Sequence, residues 1–448
     1  MSKLKDSASQ FISWIRQAAP YFHAFRDRTF VIAFGGEILE GGIAEERAQA
    51  LAHDLNLLES LGIRLVLVHG ARSQIDAEMR RRGLEPRFHK GLRITDAEAL
   101  ECVKSAMGVA RIDLEALLSQ GLPNTPMAGG YMRVTGGNFI TGKPVGVVEG
   151  EDYLFTGAVR KVNAGEIKAD LDQENVVLIT PIGASPSGEI FNLAWEEVAE
   201  AVAVALKADK LIYLLDATGM ANEAGELLPA LTVEEAETLI AAGVPQAPEV
   251  ERVLPGALRA CRDGVGRLHF LDRNSDGAML MELFTRSGVG TVVTRSPLAR
   301  IREATVEDVG GVLALIAPLE ADGTLVKRSR ERLEMEITRF SLLEHDGVVV
   351  GCGALYPYSD DKSAELACLA VMSDYRRAGY GELILNHMEA RARQAKLKQI
   401  FVLTTRTAHW FVERGFREVD LDVLPREKRD MYNLQRRSKV LVRPIGRK

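Results

Sequence analysis

Arg376-Arg377-Ala378-Gly379-Tyr380-Gly381 is the stretch whose residue types and spacing point most directly to chemistry. It lies between an apolar run and a long helical pattern, so its turn places backbone N–H groups at a helix N-terminus, where the dipole favours an anion such as a pyrophosphate. Gly379 and Gly381 carry no Cβ and let the backbone come close to phosphate oxygens. By spacing alone the string also fits a plain tight turn from strand to helix.

Just upstream, in Ala364-Glu365-Leu366-Ala367-Cys368-Leu369-Ala370-Val371, Glu365 interrupts an apolar run. A carboxylate there suits a base that takes a proton from an ammonium; exposure to solvent or an ion pair with an arginine is the alternative. Thr404 and Thr405, closing the run QIFVLTT, are candidate hydroxyl donors or ordinary strand-end hydrogen bonders. Cys368 as a nucleophile would need a partner histidine, and no motif supplies one.

The elements that must position these residues form a mixed α+β pattern from about Ala299 onward. It opens on ARIREATVEDVGGVLALI, where Thr305 can cap a helix with Glu307 and Asp308 in its first turn. The spacing then predicts a strand LLEHDGVVVGCGAL, a strand SAELACLAVM, the loop, a helix GELILNHMEARARQA, a strand QIFVLTT, a helix HWFVERG and a terminal strand. Before Thr294 the pattern differs. Short apolar runs (TFVIAF, RLVLVHG, NVVLITPIG, KLIYLLDA, GRLHFLD) alternate with helices, which predicts buried parallel strands covered on both faces. Thr294 to Leu298, with Pro297, is the boundary. Ahead of it all, Phe11, Ile12, Trp14, Ile15, Ala18 and Ala19 recur at helical spacing up to Pro20, predicting a short amphipathic helix over residues 1–20 that docks on its own domain or on a neighbouring subunit.

Two resemblances follow from these strings. The loop at 376–381, with the IREAT opening and HWFVERGF, resembles the GNAT acetyltransferases over residues 299–448. That resemblance implies acetyl-CoA against Leu369, Val371, Arg376, Arg377, Gly379, Tyr380 and Gly381, with Glu365 as base and the Cys368 backbone as donor to the carbonyl oxygen. Residues 21–296 resemble the amino-acid kinases, acetylglutamate kinase in particular, through Phe34-Gly35-Gly36-Glu37, Leu67-Val68-His69-Gly70, Gly91-Leu92-Arg93-Ile94-Thr95-Asp96 and Glu282-Leu283-Phe284-Thr285. The groups that such a kinase needs against a γ-phosphate are missing: Ala33 and Val253 stand where lysines belong, and the strand end reads Asn192-Leu193-Ala194-Trp195-Glu196. Phosphoryl transfer is therefore not expected, and a regulatory domain is.

Taken together, with Thr324 to Arg330 and Gln435 to Lys439, the chain is similar to the N-acetylglutamate synthases. This implies L-glutamate as acceptor, its carboxylates held by Arg328 and Arg436 (or Arg437), and L-arginine as effector near Tyr21, Lys210, Glu282 and Gly288. It also implies a homo-oligomer, with a hexamer as the family's pattern. A bifunctional synthase and kinase, or an arginine-sensing GNAT protein acting on another amine, are the alternatives.

Composition sets the outer limits. The 448 residues carry 56 Lys and Arg against 62 Asp and Glu, a net charge of −6, and nothing in this balance points to a polyanion-binding tail; the basic last dozen residues interleave with Val440, Leu441, Val442 and Ile445 and read as a strand with a charged face rather than a nucleic-acid arm. The four cysteines have neither disulfide-framework nor zinc spacing, so no metal and a reducing cytoplasm are expected. No apolar run has signal or membrane-span length, so neither membrane nor nucleic acid is expected as a partner.

Overall fold

Continuous apolar runs become fully buried strands here because helices cover the sheet on both sides. The computed structural model describes residues 2–121, 131–286, 288–376, 379–430, 432 and 437–445. The chain divides into two compact units, Met1–Ser296 and Pro297–Lys448.

In the first unit the main elements are α1 (Ser2–Phe25), β1 (Thr29–Phe34), α2 (Glu46–Ser60), β2 (Arg64–His69), α3 (Ala97–Leu118), β3 (Val176–Ile179), α4 (Trp195–Leu206), β4 (Lys210–Leu215), α5 (Pro248–Arg262), β5 (Arg267–Asp272), α6 (Ala278–Phe284) and β6 (Thr291–Thr294). An eight-stranded sheet holds β6, β5, β4, β1, β2 and β3 in that order, with a short strand added at each edge. Its pairings are parallel except β5 with β6. Alternation along β1 divides the core: Val31 and Ala33 face α4 and α5, while Phe30, Ile32 and Phe34 face α2, α3 and α6.

The first helix does not stop at Pro20 as its sequence suggests. It continues to Phe25, with Pro20 inside. A mid-helix proline costs about 3 kcal/mol, but Ala18 is buried, and Tyr21, Phe22 and Phe25 pack on the core beyond it, Phe22 meeting Phe284 edge-on at 5.1 Å. Phe11, Ile12, Trp14 and Ile15 remain exposed.

The second unit comprises β7 (Ala299–Glu303), α7 (Val309–Ala321), α8 (Arg330–Glu336), β8 (Phe340–His345), β9 (Val348–Tyr358), β10 (Ser363–Val371), α9 (Tyr380–Gln394), β11 (Gln399–Thr404), α10 (Ala408–Glu413), β12 (Arg417–Val419), α11 (Arg426–Asp430) and β13 (Lys439–Pro444). The seven strands run β7-β8-β9-β10-β11-β13-β12. The run read as one strand from Leu342 is two antiparallel strands, because Asp346 and Gly347 both take positive φ (49° and 78°) and turn the chain back. Thr305 does cap: its N–H and hydroxyl both donate to Asp308, which Arg302 also grips with two bonds of 2.8 Å.

Candidate functional site

Strands β10 and β11 pair in parallel only from Ser363 to Glu365 and then part. β10 is further disturbed by a bulge against β9, where Cys368 takes a φ of +50°. A non-glycine residue in this conformation stores roughly 1–3 kcal/mol of strain, and such strain collects where the backbone is put to use. Its carbonyl accepts from the Cys352 thiol at 3.4 Å. Burial pushes the Cys368 thiol up to about 11, so at neutral pH it is no nucleophile and the residue's contribution is its backbone.

Where the strands part, a cleft of ≈480 Å³ opens, lined by Leu369 and Val371 of β10, by Arg376, Gly379 and Gly381 of the loop, and by the α10 region. Gly379 has a φ of +74° and caps α9, which needs glycine for that reason alone. Gly381 is glycine for room: a Cβ there would lie 3.1 Å from the Trp410 ring. Arg377 lies outside the described residues. Tyr380 does not turn toward the cleft; its hydroxyl meets His345 Nδ1 at 2.7 Å and its ring stacks on Tyr375. The far wall, overlooked in the sequence, is Arg406, Thr407, Trp410 and Arg414, with the Arg414 guanidinium 4.1 Å over the indole of Trp410. The pattern HWFVERG shows that helix, but not which face of it meets the loop.

Thr404 is drawn into the turn after β11: its hydroxyl contacts that of Thr407 at 2.8 Å and accepts from the Thr407 and Arg406 amides. Thr405 is exposed. The threonines that line the cleft are Thr407 and Thr324.

Beside the cleft lies a pocket of charges. Glu365 is 8% exposed and stands opposite Tyr356 of β9. It is not an isolated acid, for Lys428 of α11 meets its Oε2 at 2.7 Å. The Arg328 guanidinium is mostly buried near Cys368, Tyr356 and Glu365, whose electrons keep its pKa raised against the opposing effect of burial. Tyr356 in turn donates to Glu336 at 2.6 Å. One nitrogen of Arg328 is satisfied by the Val326 carbonyl at 3.1 Å, but Nε is buried with no hydrogen-bond partner among the described residues. An orphaned guanidinium N–H costs free energy that a carboxylate ligand would return. Arg436 lies outside the described residues; Arg437 is exposed, with a backbone φ of +48°.

The first unit's counterpart is closed. A Cβ on Gly70 would fall 2.8 Å from Trp195 Cδ1, so the indole fills the room beside the glycine turn. The cavity left between Trp195, Arg93, Asn192 and Glu196 is ≈50 Å³. Ala33 and Val253 are both fully buried, with no lysine in their place. Glu196 ion-pairs with Arg252 at 3.0 Å, and burial raises its pKa.

Three of the four expected effector residues come together. Lys210 Nζ lies 3.1 Å from His269 Nε2, and His269 Nδ1 lies 2.8 Å from Glu282. An ammonium only donates, so Nε2 accepts and Nδ1–H donates to the carboxylate. Burial, then Lys210, pushes His269 down to about 4, which keeps the ring neutral. Glu282 also accepts from the amides of Val289 and Gly290 at 2.9 and 3.0 Å, and a Cβ on Gly288 would strike its Oε2 at 2.4 Å. Tyr21 lies on α1, its ring 5.9 Å from that of Phe25, which Lys210 overlies at 5.0 Å.

Among the described residues no group of three or more His, Cys, Asp or Glu is arranged to hold a metal, and no helix is long and apolar enough to cross a membrane.

Residues 28–272 match the amino acid kinase family, and 317–416 match the acetyltransferase (GNAT) family. The amino-acid acetyltransferase of Ralstonia nicotianae is 48% identical over 436 residues, covering 97% of this chain and 96% of that protein. That of Azotobacter vinelandii is 50% identical, covering 97% and 99%. The crystal structure of N-acetylglutamate synthase from Neisseria gonorrhoeae complexed with coenzyme A and L-arginine is similar with a TM-score of 0.86 at 38% identity, over 98% of this chain and 100% of that one. The same enzyme complexed with coenzyme A and N-acetyl-glutamate gives 0.61 over the same shares.

Proposed function

We propose, from the premise that this chain belongs to the amino-acid acetyltransferase family, that its second unit transfers the acetyl group of acetyl-CoA to the amine of L-glutamate. The product is N-acetyl-L-glutamate, the first step of arginine biosynthesis. The observation that carries the choice of an amino acid as substrate is the unsatisfied, buried Nε of Arg328 beside Glu365 and Cys368. An α-amino acid brings both a carboxylate for that N–H and an ammonium for the carboxylate of Glu365, and the choice of glutamate among amino acids follows the likeness to N-acetylglutamate synthase.

The chain's own groups divide the work. Leu369, Val371, Arg376, Gly379 and Gly381 hold the coenzyme, whose thioester supplies the acetyl group. Glu365 takes the amine proton, directly or through water, so that a neutral nitrogen attacks. The strained backbone at Cys368 faces the carbonyl oxygen. Thr407, rather than Thr404 or Thr405, stands at the cleft wall where a proton for the leaving sulfur is needed. Arg377 and Arg436 complete the reading on coenzyme and substrate.

The first unit is the regulatory part of this reading: L-arginine as effector, bound near Tyr21, Lys210, Glu282 and Gly288, where the His269 relay ties a strand to the loop after α6. The exposed Phe11, Ile12, Trp14 and Ile15 stripe serves self-association, to a hexamer by the family pattern, in the cytoplasm. Kinase activity is disfavoured by Ala33, Val253 and the indole of Trp195.

Thiol release from acetyl-CoA, followed with glutamate, aspartate and ornithine in turn and with or without arginine, tests the proposal. Glutamate is expected to be used best, and Arg328→Lys to raise the KM for glutamate by about 10- to 100-fold through loss of the planar fork, with the KM for acetyl-CoA unchanged. Equal use of ornithine, or an unaltered KM in the variant, overturns it.

A further inference from the structure

The Glu365–Lys428 ion pair places a cation on the group that is to accept a proton. The two side chains are 10% and 22% exposed, and Nζ lies 2.7 Å from Oε2. Arg328, Tyr358 and Cys368 lie within electrostatic reach of Glu365, and among the described residues Lys428 stands at ion-pair distance. The Oε2 held by the lysine ammonium is not available to orient or deprotonate a neighbouring water.

We propose that Lys428 masks Glu365 until the acceptor amine arrives, and that the mask suppresses hydrolysis of the bound thioester. The inference rests on the reading of Glu365 as the base. Its physical basis is a difference between the two possible nucleophiles. The acceptor's ammonium can replace the lysine ammonium on Glu365 while the acceptor's own carboxylate becomes the counter-ion of Lys428, so neither charge is left unpaired. A water molecule is neutral. To take the same place it must leave the partly buried Lys428 without its counter-ion, and breaking such a pair is costly. The carboxylate is therefore released to amines and withheld from water.

The reaction held back is written simply. Water oxygen attacks the thioester carbonyl carbon, Glu365 takes a proton from that water, the C–S bond breaks, and the thiolate takes a proton to leave acetate and free coenzyme thiol. Nothing beyond water is consumed.

The test uses the full chain with acetyl-CoA and no amino acid, reading free thiol. Lys428→Met is expected to raise this hydrolysis by about tenfold or more, the lower range of what a freed general base supplies. Lys428→Arg, which keeps the cation, is expected to stay within about twofold of the parent. The double variant Glu365→Gln with Lys428→Met is expected to return to the parent rate. Lys428→Met that binds coenzyme but hydrolyses no faster overturns the mask. A leak that survives in the double variant overturns it too, by showing that another group activates water. Glu365→Gln alone, assayed for transfer to glutamate, tests the underlying assignment separately: full transfer there removes Glu365 as base. If Lys428→Met and Lys428→Gln both lose coenzyme binding, the lysine is structural and the inference falls.

Discussion

The two units place a concave site at the ends of their strands, and they treat it in opposite ways. Around the glycine turns of β1 and β2 an indole occupies the room, and ≈50 Å³ remains. Between β10 and β11 the strands diverge and leave ≈480 Å³. The comparison teaches that the first unit's turn region is filled as well as lacking lysines at Ala33 and Val253. Trp195 is buried and packs near Tyr213, so the room beside the turns is part of the core and contributes to holding the unit together. The working site does the reverse. It keeps a strained backbone at Cys368 and a guanidinium N–H without a partner among the described residues, both of which cost stability.

If that contrast is right, substitutions in the two places act on different quantities. The largest effect is expected at Glu365→Gln, which should lower kcat by ~10²-fold or more while acetyl-CoA binding is kept; unchanged turnover would sink the assignment. Next, Trp195→Ala should cost about 3 kcal/mol or more of stability in the first unit, as large aromatic truncations in cores do. ATP turnover with N-acetylglutamate should stay undetectable, since Ala33 and Val253 remain; its appearance would mean that the indole alone silenced a kinase.

The smallest effect concerns pH. His269 is held neutral by burial and by Lys210, with its pKa near 4 against 6.5 for a free ring. The unfolded chain therefore takes up a proton in that window which the folded one refuses. The stability from this group is whole above pH 6.5 and is lost as pH falls through about 4. His269→Gln removes the term, so its Tm should fall less than the parent's between about pH 7 and pH 5. Burial raises the carboxyls of Asp54 and Glu200 to about 7, which works in the opposite sense in both proteins. The difference between variant and parent isolates the histidine, and equal slopes would refute the neutral ring.

Both folds were legible in the sequence because periodicity is a local property: a six-residue apolar run flanked by helical patterns can hardly be anything but a covered strand. The loop from Arg376 and the carboxylate of Glu365 were legible for the same reason, since each is defined by its neighbours in the chain. What could not be read depends on partners far along it. Lys428 sits on a five-residue helix with no pattern of its own, and only the fold brings it to Glu365. Trp410 lies in a recognised helix, but its contact with Gly381 follows from how that helix packs. The hairpin at Asp346 and Gly347 was hidden by the apolar runs on either side, although Asp-Gly is itself a strong turn signal. Pro20 misled because its penalty is local while the packing of Phe22 and Phe25 that overcomes it is not.

The parting of β10 and β11 also has a mechanical side. The seven strands of the second unit are joined across their middle by three residue pairs, Ser363 to Gln399, Ala364 to Ile400 and Glu365 to Phe401. Four strands lie on one side of that seam and three on the other. Damage there would split the unit into two half-sheets, whereas damage at β7 or β12 would only fray an edge. Glu365 is the last rung of the seam, so the residue proposed to take the proton also marks where cohesion ends.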